Sequence, residues 1–392
     1  MVRRPDPYRG IALIAPVTVP YERHSTHGAI WFLGRSLALA LEAAGLGKDE
    51  VDGITVSSFT LAPDSVSSVA EHLGLELCFA EQIPLGGASG VAAIRRAARA
   101  VQVGDAEVIA CLAGDTADPG SFTGLIKDFS RFSRGAAYRY GAAGPNGVFA
   151  MIAADYMART GATREDFARL CVAQRHNAAA NPDALLRKPL TIDDYLQARP
   201  IAEPFHLFDC VMPCAGGEAL IVTTEERARS LSVPYATICA SGERHNVFRS
   251  DPIARRGGWR LYRDELYEQA GFGPDALDLV QTYDDYPVIS FVQFEELGLC
   301  GEGEASAFVR RTNMQWDGGG LPHNTSGGQL SCGQAGAAGG FLGLVEAVRQ
   351  VTGTAQGRQI PGAARALVSG YGMVNFDRGI CTAAAIVAGA GR

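Results

Sequence analysis

Asn324-Thr325-Ser326-Gly327-Gly328-Gln329-Leu330-Ser331-Cys332-Gly333-Gln334-Ala335-Gly336-Ala337-Ala338-Gly339-Gly340 is the stretch from which the rest of the chain can be read. Six of its seventeen residues are glycine, and an apolar helical run, Phe341 to Val351, follows at once. Glycine clusters permit positive φ and close backbone approach. A glycine-rich loop that runs into a helix start leaves N–H groups free to face an anion or an oxyanion. The plainer alternative is a tight loop packed on a neighbouring element.

Working outward, a second stretch repeats the pattern. Gly86-Gly87-Ala88-Ser89-Gly90 opens a helix over Val91–Val103, and a strand over Glu107–Leu112 ends in Ala-Gly-Asp. The 324–340 loop likewise leads through a helix to a strand, Ala364–Ser369, that ends in Gly370-Tyr371-Gly372. Further strands are expected at Gly10–Val17, Val51–Ser58, Ala215–Thr223, Tyr235–Gly242, Leu277–Thr282 and Cys381–Val387, with helices between them. The alternation predicts an α/β chain with mostly parallel central sheets covered on both faces. The echo predicts a duplicated α/β unit, residues 1–233 and 234–392. An insert over about 117–205 leaves the core of the first half; its beginning carries Lys127, Arg131, Arg134 and Arg139. It reads either as a solvated loop or as a binding element.

Composition excludes several classes. The chain has 392 residues, net charge −7 and 20% charged residues, so it has no basic footprint for nucleic acid. No apolar run reaches membrane-spanning length, and the N-terminus lacks a signal-peptide core, so a cytoplasmic protein is expected. The nine cysteines are scattered; only Cys210 and Cys214 are close, and no second pair completes a zinc set, so no metal site is expected.

With these blocks in order, the chain resembles the thiolase superfamily, most nearly the sterol-carrier-protein-type thiolases, from about residue 8 onward. Gly87-Ala88-Ser89-Gly90 stands where that family has Cys-Ala-Ser-Gly. Arg175-His176-Asn177 through Asn181-Pro182 is similar to the family's insert segment. Tyr283-Asp284-Asp285-Tyr286 stands for His-Asp-Cys-Phe, with Leu297-Gly298 behind it. Asn324-Thr325-Ser326-Gly327-Gly328 followed by Gly333-Gln334-Ala335 stands for Asn-x-x-Gly-Gly and Gly-His-Pro. The resemblance implies a duplicated thiolase fold in five layers, αβαβα, a homodimer, and a coenzyme A thioester as substrate with no covalently bound cofactor.

The same residues depart from thiolase chemistry. A thiolase thiol sits at a helix N-terminus, where the dipole favours the thiolate; position 87 is glycine. The activating histidine is Gln334, which donates hydrogen bonds but is no base near neutral pH. Cys332 and Cys381 remain as thiols, and neither has a base implied beside it; His323 precedes the loop without being aimed at Cys332. The remaining polar set is Tyr283, Asp284, Asp285, Gln334 and Tyr371, with backbone from Gly87, Ser89, Gly328, Gly333 and Gly372. It suits proton transfer and oxyanion stabilisation, as in retro-aldol or lyase cleavage of a bulky acyl-CoA. Steroid side-chain aldolases of thiolase type also lack the nucleophilic cysteine and work with an OB-fold partner carrying a zinc ribbon. The resemblance implies such a partner, with the coenzyme A tail on Arg131, Arg134 and Arg139. An acyltransferase component of a complex and a non-catalytic scaffold subunit stay open as alternatives. Purely structural roles also stay open: either aspartate as a helix cap, Tyr283 as core, Gln334 as loop support.

Overall fold

The computed structural model describes residues 7–120, 139, 141, 144–251, 253, 255–355, 357–375 and 378–390. The first half runs β1 (Ile11–Glu22), α1 (Ala29–Ala44), β2 (Gly53–Ser57), α2 (Val66–Leu73), β3 (Phe79–Gln82), α3 (Ser89–Val103) and β4 (Ile109–Asp115). The excursion from β4 carries α4 (Gly144–Thr160), α5 (Arg164–Ala179), α6 (Ile192–Leu196) and the short strands β5 (Pro200–Ala202) and β6 (Phe205–His206). The chain returns in β7 (Ala215–Thr224), α7 (Glu225–Ser230) and β8 (Tyr235–His245). Then follow α8 (Arg263–Ala270), β9 (Leu279–Gln281), α9 (Pro287–Glu296), α10 (Ala305–Arg311), α11 (Gly328–Cys332), α12 (Gly339–Thr352), β10 (Arg365–Asn375) and β11 (Arg378–Gly389).

The main sheet has the order β3-β2-β4-β7-β1-β8-β11-β10-β9. One pattern occurs in it twice. β2 is parallel to β4, which is antiparallel to β7, which is antiparallel to β1. β9 is parallel to β10, which is antiparallel to β11, which is antiparallel to β8. The halves join where β1 meets β8 over Leu13↔Ala236 and Ile14↔Tyr235. The duplication expected from the sequence is therefore present. Parallel pairing is confined to β2 with β3 and β4, and β9 with β10, where helical crossovers join the strands. The other ladders are antiparallel and the sheet is mixed, because each half ends on a strand inserted antiparallel between two of its earlier strands, β7 between β4 and β1 and β11 between β10 and β8; β10 and β11 form a direct hairpin, Asn375↔Arg378.

Side-chain alternation along the strands builds five layers. Ile11 and Leu13 of β1 face a central core with α3 and α12, which also takes Ala366 and Val368 of β10. Ala12 and Ile14 face the other way, against Leu33 and Leu37 of α1. On the far side, Leu367 and Ile386 pack on α8, α9 and the insert helices α4 and α5. The insert thus covers the outer face of the second half. Among the described residues no helix is long and apolar enough to cross a membrane.

Candidate functional site

Two backbones touch at the centre of the molecule. A Cβ on Gly90 would lie 2.4 Å from the Gly340 carbonyl oxygen, and one on Gly340 would lie 2.7 Å from that of Gly86. β10 closes on the same elbow: a Cβ on Gly370 would meet Gly87 O at 2.5 Å, and on Gly372 Leu85 O at 1.8 Å. Glycine is required at each, because any side chain would enter backbone. Ser89 fixes the elbow from within, its hydroxyl donating to Ile83 O (3.0 Å) and accepting from Leu85 N (3.1 Å).

Tyr283 enters this junction from the end of β9. The strand stops before it because the Asn324 side chain takes over the backbone of Thr282, accepting from its N–H at 2.8 Å and donating to its carbonyl at 3.0 Å. Gln293 holds the next residue, donating to Tyr283 O at 2.7 Å, and is itself fixed by Ser369 at 2.6 Å. The Tyr283 ring lies on Gly87. A Cβ there would stand 2.1 Å from Cε2 and 2.3 Å from Cδ2 and Cζ. The ring therefore fills the space in which any side chain on residue 87 would begin, at the N-terminal end of α3.

Tyr283 is buried, with its hydroxyl against the side chains of Asp285 and Gln334. Burial, then the neighbouring Asp285 charge, pushes its pKa well above the usual phenol value. The group is a neutral donor across the neutral range. Burial pushes the Asp285 carboxyl up to about 7. Asp285 Oδ1 is buried and lacks a hydrogen-bond partner among the described residues.

Asp284 is placed differently. It accepts from Gln174 Nε2 (2.9 Å), Gln329 N (3.0 Å) and Leu330 N (3.4 Å). These donors partly offset the burial that pushes it up to about 6. It holds the first turn of α11, and a Cβ on Gly328, at φ 60°, would lie 2.1 Å from its Oδ2. Of the two aspartates, one is turned to the loop backbone and the other to Tyr283.

The loop N–H groups are largely occupied. Gly333 N donates to Gln329 O (3.1 Å) and Gln334 N to Met212 O (2.9 Å). Ala337 N donates to Asp115 Oδ2 (2.6 Å), a buried carboxylate that also gathers Ser58, Phe59 and Thr60. The expected oxyanion donor at Gly333 is thus already bonded, because its N–H closes the last turn of α11, while the segment before β7 takes the N–H of Gln334. The Gln334 side chain is less committed: Nε2 reaches only Gly336 O, at 3.5 Å, among the described backbone acceptors.

Tyr371 stacks on Trp259 (5.8 Å) and meets Phe149 edge-on (6.1 Å). Its hydroxyl is buried without a partner among the described residues, and burial followed by the Glu296 charge raises its pKa. Tyr286 lies between Phe149 (4.6 Å) and Phe205 (4.9 Å). Trp259, Phe149 and Phe205 were not singled out from the sequence. Gly257-Gly258-Trp259 carried the signal: a Cβ on Gly257 would fall 1.9 Å from the indole.

Of the remaining thiols, Cys381 lies within 4.8 Å of His245 and Glu243, on the β8–β11 ladder, whereas Cys332 has no histidine beside it among the described residues. Cys332 is fully buried and burial raises its pKa. His323 donates to or accepts from Thr282 Oγ1 at 2.7 Å and is pushed down to about 3 by burial, so it is neutral. Glu243, His245 and Cys381 could converge on a cation. Arg96 already holds Glu243 with two bonds of 3.0 and 3.1 Å and opposes one electrostatically. Arg131 and Arg134 lie outside the described residues, and Arg139 is exposed.

The thiolase C-terminal domain-like family matches residues 242–382. A steroid side-chain-cleaving aldolase of Thermomonospora curvata is 36% identical over 88% of this chain and 91% of its own length. The 17-hydroxy-3-oxo-4-pregnene-20-carboxyl-CoA lyase of Mycobacterium tuberculosis is 33% identical over 88% and 92%. The chain belongs to the thiolase superfamily. Within it, the chain spans about nine-tenths of the length of both of these cleaving enzymes. A solved Ltp2-ChsH2(DUF35) aldolase superposes with TM-score 0.84 and 31% identity over 97% of this chain and 98% of that one. An SCP2-thiolase-like protein of Mycobacterium smegmatis shares the fold, with TM-score 0.73 and 17% identity over 97% of this chain and 78% of that one.

Proposed function

We propose that the chain is a lyase that cleaves a bulky β-hydroxyacyl-CoA, of the steroid side-chain type, by retro-aldol chemistry without an acyl-enzyme. The observation that carries this reading is the Tyr283 ring resting on Gly87, a hydroxyl standing in for a thiol. A phenol of raised pKa is a poor free base, so it works as a relay. Tyr283 takes the substrate hydroxyl proton as it passes its own to Asp285. The bond between the α- and β-carbons breaks, the β-carbon leaves as a ketone or aldehyde, and the electron pair moves into the thioester as an enolate. The Gln334 amide donates to that enolate oxygen. The unpartnered Tyr371 hydroxyl protonates the α-carbon. Asp284 positions the loop rather than touching substrate.

The relatives' names support the acyl-CoA substrate, and the solved ChsH2 complex supports a partner protein, which we take to be an OB-fold zinc-ribbon chain. The chain itself is proposed to be a homodimer, with its halves divided near 233/234. Arg131, Arg134 and Arg139 are kept as the candidate coenzyme A contacts. The test is turnover of a β-hydroxyacyl-CoA by the chain with its partner. Tyr283→Phe lowers kcat by about 10³-fold while binding persists. An acyl group trapped on Cys332, or full activity in Tyr283→Phe, refutes the scheme.

A further inference from the structure

A second cavity, of about 340 Å³, opens at the far end of α12. That is within the range of small-molecule sites. It lies ten residues along the helix from Gly339, roughly 15 Å from the elbow. Its floor is a built irregularity: Ala15 takes φ 52°, and the β1 register shifts between Ile14 and Val17. Strained backbone of this kind persists where the surroundings hold it.

The lining is amphipathic. Val17, Leu39 and Val233 supply apolar wall, and Thr18, Thr352 and Thr354 supply hydroxyls. Arg349 and Arg358 supply cations. Arg358 is buried and neutralised by Glu346 at 2.6 Å. Arg349 is half-buried; its charge acts on the buried carboxyls of Glu218 and Glu346, and no hydrogen bond or ion pair within contact distance is found for its guanidinium among the described residues. Asp183 also lines the cavity and disfavours a doubly charged phosphate.

Two chains of side-chain contacts run from this cavity to the glycine-rich loop. Thr18 donates to Glu218 at 2.9 Å, Tyr21 donates to the same carboxyl at 3.0 Å, and a Cβ on Gly333 would lie 3.4 Å from the Tyr21 ring. Arg358 holds Glu346, which accepts from Thr325 at 2.7 Å, next to the asparagine that fixes Thr282.

We propose that this cavity binds a small monoanionic carboxylate with a short aliphatic body, held by Arg349 and a threonine hydroxyl, and that its occupancy stiffens the loop carrying Gln334. The site is separate from the cleavage chemistry, and its test needs no turnover. Calorimetric titration of the full chain with sodium hexanoate gives saturable one-site binding, and inorganic phosphate gives none. Arg349→Gln weakens hexanoate at least tenfold. Leu39→Trp fills the apolar wall, abolishes binding, and carries the test if the arginine variant does not fold. Hydrogen exchange over 325–334 slows with hexanoate in the unaltered chain. No saturable heat, phosphate binding instead of hexanoate, unchanged affinity in the folded variants, or unchanged exchange each overturns the proposal.

Discussion

Gly87→Ala is the smallest change that tests the site. The added methyl would sit 2.1 Å from Tyr283 Cε2, whereas ordinary contact begins near 3.4 Å. The ring must therefore withdraw by about 1.3 Å, the difference of these two distances. It has little room, since Gln293 clamps its backbone and the Asp285 side chain adjoins its hydroxyl. Overpacking of this size destabilises by about 1–3 kcal/mol. A displacement of about 1 Å at a reacting group lowers rate by roughly 10²-fold. The assay pairs a thermal melt with single-turnover cleavage of a β-hydroxyacyl-CoA. A double-mutant cycle with Tyr283→Ala isolates the clash, because without the ring the methyl has nothing to meet. If Gly87→Ala keeps both its melting temperature and its rate, the ring does not occupy that space and the relay argument fails. Gly87→Cys, by the same geometry, should form no acyl-enzyme while Tyr283 is in place.

Other outcomes follow from buried charge. If Asp285 accepts the proton, kcat/KM falls as pH drops through about 7, and Asp285→Asn removes that limb. Glu218 is pushed from 4.5 up to about 8 by burial. Its folded form binds the proton more tightly, so its contribution to stability is full below 4.5 and is lost as pH rises to about 8. The steepest slope is about 1.4 kcal/mol per pH unit, and denaturation of Glu218→Gln at a series of pH values should show that slope gone. Arg358→Leu strands Glu346 in the core, and chemical denaturation should register a loss of about 3–5 kcal/mol. Sedimentation should give a dimer; a monomer at all concentrations would count against the proposed assembly.

The fold was legible because its signals are local. Glycine elbows, apolar strands and helix starts repeat in both halves, and the duplication of the α/β unit follows from them. The loss of the thiol and of the imidazole was also visible, as Gly87 and Gln334 in otherwise matching blocks. What replaces the thiol was not visible, since the Tyr283 ring reaches Gly87 only when β9 and α3 are brought together. Adjacent aspartates could not be told apart in sequence. Their difference depends on Gly328, which leaves space for one of them against the start of α11. The loop N–H groups read as free because their acceptors, Met212 and Asp115, come from remote segments. Four of the antiparallel ladders follow from β7 and β11 entering between older neighbours, which no local pattern announces.

The contact of Gly90 with Gly340 bears on how a large substrate gets in. Among the described residues the main sheet joins the halves through a two-rung ladder between β1 and β8, which by itself would suit a hinge. The central helices forbid one. Their backbones meet with no side chains between them, so there is no compressible cushion and no lever arm at the pivot. Rigid-body gaping of one half from the other would tear open the very junction that seats Tyr283. Admission of a bulky acyl group therefore falls to peripheral segments, while the centre behaves as a fixed anvil.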